Sequence, residues 1–249
     1  MSKRLLASLL AASVLLPNAA GSPASRRQPP SRAAVDELNE PFSGPALDPR
    51  VWRATRKNDF QESTIGVANG RLRLRAATLG TRDDTVKYHG VRTVRPIRLR
   101  PPVVVSFVLD WNNQANGCYL TAGALLCPTA TDGNPGDEPD WLKLEYIGVP
   151  PGRNARAWLS ARANGGERVL YDEGWPEKQR AGRRIGRQAV TIRWQKGTLT
   201  VTENGRALWQ GKWAGLPPQA FLYLQMSSHS NYAPRTVFFG GVSVTRGRQ

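Results

Sequence analysis

Short apolar runs recur along this chain, separated by turn residues. In GRLRLRA (70–76), Leu72 and Leu74 alternate with Arg71, Arg73 and Arg75. A period of two over that length predicts a half-buried strand with its leucines inward and its arginines in water. PPVVVSFVLDW (101–111) is denser and rich in β-branched residues, as a strand central in a sheet requires. WLKLEYIGV (141–149) and ARAWLSAR (155–162) alternate again. In AVTIRWQKGTLTVTENGRALWQG, Lys196-Gly197 and Asn204-Gly205 separate three strand runs. Asn-Gly supplies the positive φ of a two-residue hairpin turn, so this stretch predicts a three-stranded meander. FLYLQMSS (221–228) and RTVFFGGVSVT (235–245) follow it. About a dozen short strands with Gly, Pro and Asn between them, and no helical period after the N-terminal segment, predict an all-β sandwich or barrel.

The N-terminus differs in kind. Lys3 and Arg4 precede an apolar run, residues 5–16, and small residues follow as far as Gly21 and Ala24. That layout predicts a secretory signal peptide over 1–21, too short to span a bilayer, and hence a secreted or periplasmic protein. Residues 22–37 are dominated by Pro, Ser, Arg and Ala and are expected to be a flexible linker. Residues 38–249 then form one β-domain, with no further segment of membrane-spanning length. The formal charge of +16 raises the question of nucleic acid. The cations are mostly arginine, scattered along the chain without a nucleic-acid motif, so no nucleic-acid partner is expected. An anionic cell surface or acidic polysaccharide remains compatible with that charge.

Three phrases in order along the chain resemble exported concanavalin A-like domains. The opening EPFSG-ALDPRVW (40–52) with VANGRLRL (67–74) is similar to their N-terminal strands. VTIRWQKGTLTVTENGRALW resembles their meander, and RTVFFGGVSV resembles their closing strand. The resemblance implies a two-sheet antiparallel jelly-roll sandwich whose concave sheet carries a glycan cleft. Laminarinase-type hydrolases of that fold place their acids on one strand as E-x-D-x-E. The matching register here reads Trp141-x-Lys143-x-Glu145, in which only the last acid is present.

Candidate chemistry follows from that strand and from the aromatic content. The chain has eight Trp, and indoles stack on the C–H faces of sugars while polar neighbours bond the hydroxyls. Trp141, Lys143 and Glu145 share one face of a strand fed by a Gly/Pro-rich loop holding Asp137, Glu138 and Asp140. Glu145 and Asp140 are therefore the candidate catalytic pair. Trp141, Lys143, Glu138, Trp111, Trp158, Trp175 and His89 are the candidate ligand-binding residues. The expected function is a secreted glycoside hydrolase-like enzyme acting on a polysaccharide; the alternative is a non-catalytic, lectin-like module. A third reading is a polysaccharide lyase on an acidic glycan. Gln225, His229, Tyr232 and Arg235 carry side chains of that kind, without the phrases typical of alginate lyases. No phosphate-binding loop, G-x-S-x-G elbow or H-E-x-x-H helix occurs. Cys118 and Cys127 are expected to form a disulfide, as a close pair in an exported protein does. No cofactor is expected, and no zinc site. Asp132, Asn134, Asp137 and Glu138 crowd one loop with oxygen ligands suited to a structural calcium ion.

Overall fold

The computed structural model describes residues 33–57, 62–77, 87–110, 120–148, 155–174, 186–215, 217–228 and 235–247. Its strands form two antiparallel sheets. One runs in the order β14 (Arg206–Lys212), β13 (Thr198–Glu203), β12 (Arg187–Gln195), β7 (Val103–Asp110), β16 (Arg235–Arg246), β4 (Arg71–Ala77) and β3 (Glu62–Ala68). In it β1 (Leu38–Glu40) also pairs with β16. The other runs β11 (Gly166–Asp172), β10 (Ala155–Ala163), β9 (Trp141–Gly148), β8 (Leu120–Cys127), β15 (Gln219–Ser228), β5 (Lys87–Thr93) and β2 (Trp52–Lys57). In it β6 (Ile97–Arg98) also pairs with β15. Sequence neighbours and distant segments alternate in both orders, which is a jelly-roll sandwich.

Period two decides what each strand buries. Leu72 and Leu74 of β4 are fully buried, while Arg73 is exposed, Arg71 reaches Asp110 and Arg75 reaches Glu62. Facing them from the second sheet, Leu142, Leu144 and Tyr146 of β9 and Leu222, Leu224 and Met226 of β15 belong to the same core. Truncating one such leucine to alanine costs about 2–5 kcal/mol, because a rigid two-sheet interior closes the void only in part. Trp52 also lies inside, stacked at 5.8 Å on Phe42, with its Nε1 donating to Glu40 Oε2.

The hairpin turns carry the register. Asn69-Gly70, Asn164-Gly165, Lys196-Gly197 and Asn204-Gly205 each place two successive residues at positive φ, between 49° and 80°. That is the primed turn whose twist matches the strands it joins. The strands outnumber the dozen runs expected from the sequence, because short or broken segments such as β1 and β6 have no period of their own.

The last residues of the expected linker lie against the sandwich. Val35 bridges to Ile97, Ala33 O accepts from Arg95 Nε, and Asp36 is paired with Arg98 and Arg246. Residues 33–37 are thus bonded to the sandwich, since their backbone and carboxylate groups find partners on it. The signal-peptide segment and the rest of the linker lie outside the described residues. Among the described residues, no helix is long and apolar enough to cross a membrane.

Candidate functional site

The site is built on the outer face of the second sheet, the face opposite Leu142, Leu144 and Tyr146. On β9 that face carries Trp141, Lys143 and Glu145. Glu145 stands opposite Trp158 on β10 and Gly123 on β8. Gly123 in turn opposes Gln225 of β15, and Gln225 opposes Gly90 of β5. One row across the sheet therefore reads Trp158, Glu145, Gly123, Gln225, Gly90. The row on one side reads Ser160, Lys143, Leu125, Tyr223, Arg92. On the other side the row is Arg156, Ile147, Thr121, Ser227, Tyr88.

The loop between β8 and β9 folds over one end of this face. The Tyr223 hydroxyl donates to Thr129 O and accepts from Thr131 N. Arg92 bonds Thr131 O and pairs with Asp132 at 2.9 Å, and Asp132 also binds Arg53. Trp141 Nε1 donates to Gly136 O, and Arg162 Nη1 donates to the carbonyls of Gly136 and Glu138. Beneath the loop, Trp141, Leu125, Cys127 and Tyr223 form a second small apolar cluster. The loop docks through its carbonyls and by burying Asn134 and Pro135.

Charge on this face is largely paired. Lys143 Nζ lies 3.0 Å from Glu145 Oε2, with only 16% and 10% of the two side chains exposed. The Lys143 ammonium also stands 4.9 Å from the Trp141 ring centroid, and the Arg156 guanidinium 4.6 Å from that of Trp158. Arg156 is bonded to Asp172. Burial raises the Tyr88 phenol well above the usual range, and the Glu145 and Asp137 charges add to this, while a hydrogen bond with the Asn134 side chain opposes it. Tyr88 starts in the Ser227 row, and Asn134 belongs to the loop at the other end of the face. Its ring therefore leans across the strip left bare by Gly90.

The expected site residues separate accordingly. Trp141, Lys143, Glu145 and Trp158 do come together on one face. Trp141, however, is buried at 3% exposure under the loop, so it is core to that end of the sheet and not an open stacking platform. Asp140 is not brought to Glu145: it lies five residues along an extended chain, about 16 Å at the rise of a strand, and its Oδ1 accepts from Asn164 N. Glu138 is exposed beside it and contributes its carbonyl to Arg162. His89 does not lie on this face. It faces the interior, where Nε2 meets Thr64 O of β3 at 3.0 Å, and it joins the two sheets. Odd and even positions of β5 go to opposite faces, and His89 has the parity of Val91. Trp111, Trp175, His229 and Tyr232 lie outside the described residues.

The expected disulfide involves Cys118, which lies outside the described residues. Cys127 is free and buried, and burial pushes its thiol up to about 11. It ends the extended strand that begins at Leu120, so those two residues are about 23 Å apart at 3.3 Å per residue. The oxygen-rich loop is committed elsewhere: Asp132 serves two arginines, and Asn134 bonds Asp137 and Gly136 N. Among the described residues, no three His, Cys, Asp or Glu side chains are grouped to hold a metal ion.

Sequence reasoning passed over Gln225 as a cleft residue and placed it only in the lyase-like group. Gln225 is 3% exposed, and neither its Oε1 nor its Nε2 has a partner among the described residues. Its parity with Tyr223 and Ser227 was readable. That Gly123 and Gly90 stand on either side of it was not, because those strands are about a hundred residues away.

Two sheets in this order, with the open face just described, define a concanavalin A-like jelly roll. The chain is similar in structure to the pseudo β-1,3-glucanase Rv0315 of Mycobacterium tuberculosis, an immunostimulatory antigen, at a TM-score of 0.59 and 13% identity over 85% of this chain and 98% of that one. It is similar to the endo-1,3-β-glucanase (laminarinase) catalytic domain of Thermotoga petrophila, at 0.58 and 12% over 83% and 94%. It also resembles the Bacillus licheniformis β-glucanase, at 0.57 and 12% over 85% and 99%. No protein-family profile matches the sequence, and no curated protein matches it.

Proposed function

We propose that this protein holds a glycan on the outer face of its second sheet, at the cell exterior, without hydrolysing it. The observation that carries the reading is that, among the described residues, no second carboxylate adjoins Glu145 on its face, while the acid next along its row, Asp172 beyond Trp158, is bonded to Arg156. Retaining glycosidases set two carboxyl groups about 5–5.5 Å apart, and inverting ones about 6.5–9.5 Å. The positions adjoining Glu145 on its face are Trp158, Gly123, Lys143 and Ile147, with Ser160, Leu125, Arg156 and Thr121 on the diagonals. None is a carboxylate. Glu145 itself is ion-paired with the Lys143 ammonium at 3.0 Å, so the side chain is already engaged. What remains suits binding: a half-buried indole at Trp158, an ion pair and an amide offering donors and acceptors, and a floor lowered by two glycines. The glucanase likeness, including a neighbour described as a pseudo-glucanase, supports a glycan as the ligand.

The test runs purified protein through native gels containing mixed-linkage or β-1,3-glucan, in parallel with a reducing-end assay on the same polymers. Retardation in the gel without new reducing ends is the expected result. Release of reducing ends that disappears in Glu145→Gln would show an enzyme and overturn the reading.

A further inference from the structure

We propose that Gln225 is the anchor of this face, its amide taking a pair of adjacent hydroxyls on a neutral glycan; this rests on the glycan-holding reading. A side-chain amide has two donor hydrogens and an acceptor oxygen with two lone pairs. Left unpaired in a buried position, it carries the full cost of lost hydration. Gln225 is in that state: both polar atoms are buried, and neither has a partner among the described residues. The polar side chains next to it on β15 and β8 are bonded. Thr121 and Ser227 hydrogen-bond each other, and the Tyr223 hydroxyl bonds the loop.

The flanks of Gln225 are bare for a reason. A Cβ on Gly123 would overlap the Leu144 carbonyl oxygen and come within 2.9 Å of the Glu145 Cα. One on Gly90 would overlap the Leu224 carbonyl oxygen and lie 2.9 Å from the Gln225 Cβ. Neither strand can carry a side chain at this level, so the amide has bare backbone on each side, with the Tyr88 ring leaning over the Gly90 side. Replacing Gln225 by an apolar residue of the same size would remove the unpaired groups and favour the fold. An amide kept against that advantage is the pattern of a binding group.

The ligand class follows from the charges around it. Lys143 is paired with Glu145, Arg92 with Asp132 and Arg156 with Asp172. The face thus offers a carboxylate in a uronate little uncompensated positive charge, whereas an uncharged amide matches neighbouring hydroxyls, accepting from one and donating to the other.

The experiment compares wild type with Gln225→Met, measuring thermal unfolding and retardation in gels of neutral β-glucan and of a polyuronate. Wild type is expected to bind the neutral polymer. Gln225→Met is expected to unfold at the same or higher temperature and to lose at least tenfold in affinity. A folded Gln225→Met that binds as wild type does overturns the anchor and leaves the glycan-holding reading intact. So does a variant that melts several degrees lower or does not fold, since the amide is then structural. Wild-type binding to the polyuronate alone overturns the neutral class. Wild-type binding to neither polymer overturns the glycan-holding reading itself.

Discussion

The Lys143–Glu145 pair lends itself to a quantitative test. At 3.0 Å, two unit charges attract by about 5–6 kcal/mol at an effective dielectric of 20 and by about 1.4 kcal/mol in bulk water. Desolvation offsets most of the larger figure, and removing one partner of a buried pair typically costs about 3–5 kcal/mol. These side chains keep 16% and 10% of their surface, so Lys143→Met should cost about 2–4 kcal/mol. Glu145→Gln should cost less, because the ammonium group retains the Trp141 ring at 4.9 Å. The double variant should recover part of the loss. Urea unfolding of all four proteins at pH 7 closes a double-mutant cycle, with an expected coupling of about 2 kcal/mol. Repeating the cycle in 1 M salt separates a buried pair from an exposed one, because only the exposed pair is screened away. A coupling below about 0.5 kcal/mol, or one that vanishes at high salt, would refute the view that Lys143 and Glu145 form a buried ion pair.

Two further outcomes are expected. Burial lowers the His89 pKa from its ordinary 6.5, against the hydrogen bond to the Thr64 carbonyl, the Arg56 charge acting in the same direction as burial. The unfolded chain therefore takes up a proton that the folded protein resists. The contribution is full above about pH 6.5 and is lost as pH falls below it toward the depressed value. Melting temperatures should decline less steeply from pH 7 to 5 in His89→Gln than in wild type, and equal slopes would remove His89 as the cause. For Cys127, alkylation in denaturant without reductant should add two labels per chain, while the native protein reacts slowly at pH 8. A mass two daltons lower with no label would restore the disulfide.

The strands, their inward faces and the meander were readable in the sequence because side-chain parity is local: Leu72 and Leu74 could bury only if their neighbouring arginines faced out. The shared face of Trp141, Lys143 and Glu145 followed from the same rule. Parity does not say which face is covered, and so Trp141 could be read as an open platform, although the loop at Gly136 closes over it. Nor does spacing along the chain report distance in space. Asp140 and Glu145 are close in sequence and separated by extended backbone. Gln225, Gly123 and Gly90 are the converse, brought into one row only by the order in which β8, β15 and β5 pair. That order is a property of long-range hydrogen bonding between strands, which no local pattern encodes.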